Sequence, residues 1–504
     1  MTTPTLRTQV LVVGAGPTGA VLALELAHHN VPCLVVERAA APPRHAGMAL
    51  LTGPAMDLLR RLGLADLVRE YGAGPEEPAC VEWRTSLDGA PVLVSPRPAN
   101  EPDHRIGAAE LTRRLRDELR EHPLVELREG WTFTGLRIEP DGAVANLLDV
   151  RNGMRHTVAA RHLAGCDGGQ STVRRCVEVS MDGLGHPAPH CSVFFRSADP
   201  RLPARDQARA TVVVGGVTSV SRAAGDSWVA RLPVGADEPL STDPVALLRA
   251  RLGADLDVLE ILGVAQWDDA LTVATAYRRG PVFLAGEAAH RFHPAGEVAD
   301  TSLADAVDLG WKLAAEINGW GGPALLASYE SERRSRALLD RELLARDLET
   351  RRRFGRLIAA GAAPELLAGL LRQEAHRADA GGLPARHATS AVVWHNGVPP
   401  ATAAVRPGGR APDVRLDGGP LADRFGPGLT LVDLTGDAAG AALAAAAEER
   451  GIPVRHLPVA DAAVRAGWDR PLALVRPDGH VAWCADAVPG DWDAVLNLIS
   501  GKTT

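Results

Sequence analysis

The residues best suited to chemistry lie near the start of the chain, in Gly14-Ala15-Gly16-Pro17-Thr18-Gly19. Glycines at this spacing have separate duties. Gly14 permits a tight turn, Gly16 lets the backbone approach a pyrophosphate, and Gly19 allows a helix to pack closely on a strand. A helix starting here presents N–H groups and a positive dipole end to phosphate. Glu37, 18 residues beyond Gly19, stands where a carboxylate accepts hydrogen bonds from a ribose hydroxyl. Two later sites repeat the theme of a strand ending in glycine and an acid: Asp167-Gly168 and Gly286-Glu287. His290 and His293 follow the second of these, and histidine is a side chain suited to acid or base work near a phenol; His290 is read as structural, and Tyr277 as packed.

The elements that must position these residues are legible around them. Val10-Leu11-Val12-Val13 is a β-branched run of the kind buried on both faces of a parallel sheet. Apolar residues then recur at helical spacing through Ala20, Leu22, Ala23, Leu26 and Ala27, and Cys33-Leu34-Val35-Val36 forms a second strand ending at Glu37. Strand, glycine turn, helix and strand with an acid at its tip make a dinucleotide-binding unit. Residues about 176–275 carry alternating stretches such as Ser192-Val193-Phe194-Phe195, which predict an inserted antiparallel sheet. An arginine- and leucine-rich helical region runs from Glu332 to about 374, and from Pro412 a compact α/β pattern follows, with an alanine helix at 437–449.

Length and composition bound what else the chain can be. Its 504 residues exceed one ordinary domain, and 46% hydrophobic with 23% charged residues describe a globular protein. A formal charge of −8 argues against a nucleic-acid partner, and no apolar run reaches transmembrane length. Six cysteines without a CxxC pair or zinc-type spacing point to reduced, inert thiols and a cytoplasmic setting.

Together these motifs resemble the class A flavoprotein monooxygenases, specifically the aromatic-polyketide hydroxylases. The likeness covers essentially the whole chain, including Ala306-Val307-Asp308-Leu309-Gly310-Trp311-Lys312-Leu313-Ala314 and, near the end, Val475-Arg476-Pro477-Asp478-Gly479-His480. It implies an α/β fold: a Rossmann-like FAD-binding domain from residues 1–175 and 276–330, and an antiparallel substrate domain at 176–275. A helical region and linker at 331–395 and a thioredoxin-like C-terminal domain at 396–504 complete it. Only Cys484 lies in that last domain, so a packing or oligomerisation role fits it, a homodimer being one such assembly. The cofactor-binding residues implied are Gly14, Gly16, Pro17, Thr18, Gly19, Glu37, Arg38, Arg44, Asp167, Gly286, Glu287, Pro294 and Gly296. In that family NAD(P)H reduces FAD, and the reduced flavin activates O2 for transfer to a phenolic ring. The resemblance specifies no catalytic residues, and the family's chemistry requires no metal. The substrate implied is a polycyclic aromatic polyketide, and the setting antibiotic biosynthesis.

Four departures from the family pattern cluster at cofactor-facing places. The usual aspartate after Gly286 is Glu287; the glycine-rich loop reads Phe292-His293-Pro294-Ala295-Gly296-Glu297-Val298-Ala299-Asp300, with Glu297 and Asp300 adding negative charge; Ala108 replaces a Gln or Arg; and Pro54 replaces an Arg. Two chemistries follow from the same residues. One is an FAD-dependent, NAD(P)H-consuming hydroxylase. The other is a redox-neutral cyclase, lyase or pericyclic catalyst in which FAD is structural or absent.

Overall fold

The computed structural model describes residues 5–42, 48–72, 79–97, 104–185, 187–202, 210–235, 243–292, 298–381, 386–395, 403–437 and 439–502. Its central sheet runs in the order Arg278–Arg279, Val282–Leu284, Arg155–Gly165, Leu6–Val13, Cys33–Glu37, Val125–Glu129. All neighbours in this path are parallel except the first pair. The strand Leu6–Val13 lies between Cys33–Glu37, which follows it in the chain, and Arg155–Gly165, which comes much later. Strand order therefore reverses at the first strand, where open α/β sheets open a crevice for ligands at the carboxyl ends. Val10 to Val13 are buried, as a strand covered on both faces requires.

The helix Pro17–His28 begins immediately after the glycine turn, with a proline whose missing N–H costs nothing at a helix start. Val298–Ile317 is a 20-residue helix packed beside it, and Pro323–Ala359 is a 37-residue helix spanning roughly 55 Å.

A second sheet has seven strands in the order Glu260–Asp268, Pro189–Arg196, Ser227–Pro233, Thr218–Ala224, Ala210–Val214, Ala79–Arg84, Leu93–Arg97. It differs from the expected insertion at 176–275 in two respects. Two of its strands come from 79–97, and Ala210–Val214 pairs with Ala79–Arg84 in parallel. This pairing joins segments more than a hundred residues apart, which alternation within one segment cannot reveal. Side chains alternate across the sheet. Val193, Phe195, Trp228, Ala230 and Leu232 form a core with the helix Pro244–Leu252, while Ser192, Phe194, Val229 and Arg231 face the other way, toward the nucleotide turn.

The last unit is a four-stranded sheet, Val454–Pro458, Leu429–Asp433, Leu472–Val475, Val481–Ala485, whose first pair is parallel. Its alanine helix spans Ala441–Glu449, starting four residues later than the composition suggested. Leu429, Leu431, Leu472, Leu474 and Trp483 share one core with Trp311 and Leu325 of the two long helices and with Trp320 of the turn between them. Among the described residues no cysteine forms a disulfide. Among the described residues no helix is long and apolar enough to cross a membrane.

Candidate cofactor and substrate site

Gly14 has a φ of +106°, a conformation that L side chains rarely adopt, and a Cβ there would strike the carbonyl of Cys166. A Cβ on Gly19 would collide with the carbonyl oxygen of Gly14, so the helix start sits directly on the turn. Gly16 is different: a Cβ there would meet no atom within 4 Å. The helix Pro17–His28 has no side-chain cap and no acid in its first turn. Its leading N–H groups and dipole are thus presented to the cleft without a competing carboxylate. That arrangement fits a diphosphate.

Glu37 closes the turn from the second strand. Its carboxylate accepts hydrogen bonds from the backbone N–H of Ala15 and of Ala39, both at 2.9 Å. Arg116, buried on the helix Ala108–Glu121, approaches the same carboxylate at 3.3 Å and donates to the Ala15 carbonyl at 3.0 Å and to Glu129 at 3.1 Å. Two carboxylate oxygens carry about four lone-pair sites, so acceptor capacity remains for a ribose hydroxyl. Arg116 is a residue the sequence reading missed.

The other two glycine–acid sites are built differently from the first. Asp167 accepts from the Ser171 hydroxyl at 2.5 Å and from the backbone N–H of Thr172 and Val173 at 2.6 and 3.1 Å. It shapes the turn around Gly168 rather than pointing freely into the cleft. Arg174 then ties this turn to the second one, donating to the carbonyls of Gly169 at 2.9 Å and Ala288 at 2.8 Å. Gly286, at φ +61°, lies against Thr18, and Glu287 is exposed on the cleft.

Beneath Gly286 is a buried group that sequence reasoning did not assemble. The Asp305 carboxylate accepts from the Gly286 N–H at 3.1 Å and from the Arg333 guanidinium at 2.8 Å, and pairs with His290 Nε2 at 3.0 Å. Burial alone would raise the Asp305 carboxyl, but Arg333 and His290 hold it below its ordinary range. His290 is therefore a structural partner, as read from sequence, and Tyr277 is packed.

Asp300 does not stand as a loose negative charge. Its carboxylate accepts from the Thr52 N–H at 3.1 Å and from the Thr52 hydroxyl, pinning the start of Val298–Ile317 to the helix Gly53–Arg61. Arg44, His293, Pro294, Gly296 and Glu297 lie outside the described residues.

One cavity of about 590 Å³ joins these parts. The nucleotide turn enters it through Gly16, Pro17 and Thr18 with Glu37 and Arg38, the second glycine turn through Glu287, and the seven-stranded sheet through Ser192, Phe194, Val229 and Arg231. Phe292, Leu303 and Leu51 add apolar wall. A mainly apolar chamber with a few polar groups has the make-up of a small-molecule site.

Comparison with known proteins places this geometry. Residues 7–339 match the family described as FAD binding domain, and 404–502 match the aromatic-ring hydroxylase C-terminal family. The chain is 30% identical to a rifampicin monooxygenase from Rhodococcus hoagii, over 98% of both chains. It is also 30% identical to a dialkyldecalin synthase from Streptomyces rugosporus, over 64% of this chain and 69% of that one. Among solved structures it superposes on the rebeccamycin biosynthetic enzyme RebC with reduced flavin at a TM-score of 0.86. Identity there is 28%, covering 99% of this chain and all of that one.

Proposed function

The chain belongs to the FAD-binding family of aromatic-ring hydroxylases, the class A flavoprotein monooxygenases, and from that premise we propose that it is an FAD-dependent, NAD(P)H-consuming hydroxylase of a polycyclic aromatic polyketide in antibiotic biosynthesis. The observation that carries this reading is the single cavity linking an uncapped helix start at Gly16 to the half-apolar face of the seven-stranded sheet.

In this reading Gly14, Gly16, Pro17, Thr18 and Gly19 hold the diphosphate of FAD, and Glu37 and Arg38 the adenosine end. Gly286 and Glu287 flank the ribitol and ring, and Asp167 orders the turn beside them. The family resemblance assigns Arg44, Pro294 and Gly296 to the cofactor as well, and these lie outside the described residues. FAD, when bound, supplies the redox and oxygen chemistry. The chain's own residues orient the substrate between Phe292 and the Phe194–Val229 face, and exclude water through that apolar wall. The discontinuous segment 1–175 plus 276–330 then acts as the FAD-binding domain. Residues 176–275, extended by 79–97, form the substrate domain, and the thioredoxin-like unit 396–504 serves packing or homodimerisation in the cytoplasm.

Incubation of the purified protein with FAD, NADPH, isotopically labelled dioxygen and a panel of polycyclic phenols tests the activity. One labelled oxygen atom in a product supports it; NADPH-independent conversion without labelled oxygen overturns it.

A second reading is kept because the chain is also similar to a dialkyldecalin synthase, and because Glu287 lines the cavity where the family pattern has an aspartate. Here the same chamber would fold a substrate for a redox-neutral cyclisation, lyase or pericyclic step. Turnover under anaerobic conditions without reductant distinguishes it from hydroxylation.

A further inference from the structure

The wall of the chamber contributed by the seven-stranded sheet holds a cation without a counter-charge. Arg231 lines the cavity from the strand Ser227–Pro233, and among the described residues it has neither a hydrogen-bond nor an ion-pair partner. Its register neighbours are Ser192 on one side and Ser219 on the other, giving a row of hydroxyl, guanidinium and hydroxyl across three strands. The Ser192 hydroxyl accepts the Trp267 indole N–H at 3.0 Å, which leaves its own proton to donate.

Among the described residues the charged groups acting on Arg231 are Arg105 and Arg351, both cations. Arg105 donates to the Thr211 hydroxyl at 2.8 Å, and Arg351 pairs with Asp347 at 2.6 Å. Burial, with these two guanidinia, pushes Arg231 down to about 10, still charged at neutral pH. Arg231 is half-buried on the cavity wall, and a charge drawn away from bulk water is ordinarily paired. Elsewhere in the site Arg116 and Arg333 are paired with the carboxylates of Glu129 and Asp305, and Arg174 is satisfied by the carbonyls of Gly169 and Ala288.

We propose that the substrate of this chamber carries a carboxylate, and that Arg231 grips it with two parallel N–H···O bonds between the Ser192 and Ser219 hydroxyls. A guanidinium offers a planar fork matched to a carboxylate. The proposal rests on the cavity being the substrate chamber; it does not depend on whether the reaction there is oxidative or redox-neutral. It narrows the substrate class from polycyclic aromatics to polycyclic acids.

The test uses the full-length protein and two fluorescent probes of one shape, 2-anthroate and 2-anthracenecarboxamide, with binding followed by fluorescence titration. The wild type should bind the acid about tenfold or more tightly over the amide. Arg231→Gln should bring the two within about twofold, and Arg231→Lys should keep part of the preference. Thermal midpoints verify folding of both variants, and removing an unpaired cation should not lower them. FAD uptake, measured separately, should be the same in wild type and Arg231→Gln. Equal binding of acid and amide by the wild type overturns the proposal, as does a preference that survives Arg231→Gln. Loss of FAD uptake in Arg231→Gln also overturns it, by assigning the cation to the cofactor. Failure of the wild type to take up FAD would instead count against the hydroxylase reading and leave the acid preference to stand or fall by itself.

Discussion

Arg476 of the C-terminal sheet donates to both carboxylate oxygens of Glu332 on the long helix Pro323–Ala359, at 2.8 and 2.7 Å, with every atom of both side chains buried or nearly so. The same guanidinium reaches Asp308 at 3.0 Å and also pairs with Asp478, while Lys312 bridges Asp308 and Glu332 at 2.9 and 2.7 Å. The C-terminal unit is thus fastened to the nucleotide-binding part by a dry ionic cluster as well as by the shared tryptophan core.

Removing one partner of such a cluster leaves buried charge uncompensated. Arg476→Met should therefore destabilise the protein by about 3–5 kcal/mol. Chemical denaturation of wild type and variant measures this, and a change within experimental error would contradict the buried network.

The cluster also sets a pH dependence. Three carboxylates, Asp308, Glu332 and Asp478, face two cations, Lys312 and Arg476, and the neighbouring His387 and His480 are both held below their ordinary range, first by burial. One carboxyl is shifted the other way: burial, opposed by Lys312, pushes Asp308 from 3.8 up to about 7. The folded state then binds more protons than the unfolded chain between those values, so stability falls as pH rises through this window and levels off above it. Glu332 and Asp478, held low chiefly by Arg476 against burial, contribute the opposite slope only in acid, where stability falls as pH drops through their folded values. Asp308→Asn should flatten the decline near neutrality, read from thermal midpoints across pH 5–9 on a scale of roughly one transition per titrating group.

Gly16 and Gly19 separate cofactor binding from folding. A methyl at Gly16 meets no protein atom, so Gly16→Ala should keep the thermal midpoint and weaken FAD binding by about tenfold or more. Gly19→Ala should lower the midpoint itself, because its Cβ collides with Gly14. Flavin fluorescence quenching and calorimetry on the same samples check both.

Asp305 supports the second glycine turn from below. Asp305→Asn strips the charge partner from buried Arg333 and weakens the bond to the Gly286 N–H, so a loss of about 3–5 kcal/mol is expected. FAD affinity should fall with it. An unchanged thermal midpoint would show that Arg333 finds another partner.

What was readable from sequence was local. Gly14, Gly16, Gly19 and Glu37 announce themselves by spacing, and the order of strand, turn, helix and strand around them follows from side-chain periodicity. Asp305 sits in an apolar helical run and gives only a weak hint; Arg333, 28 residues on, gives none. Arg116 contacts Ala15 from 101 residues away and is one of many arginines. Asp300 reads as a stray charge beside a loop, yet its meaning comes from Thr52, 248 residues earlier. Arg231 looks like the polar beat of an alternating strand until the cavity on that face is seen. Pairing across such separations depends on the assembled fold, which no short window encodes.

The account turns on FAD occupying the cleft at Gly16, and the most direct measurement is anaerobic reduction of FAD-loaded protein by NADPH, followed by absorbance. The account predicts that the protein retains flavin through gel filtration, that NADPH bleaches its visible band, and that readmitted air restores it. Protein emerging colourless after incubation with FAD, or retaining flavin that NADPH leaves oxidised, would contradict it.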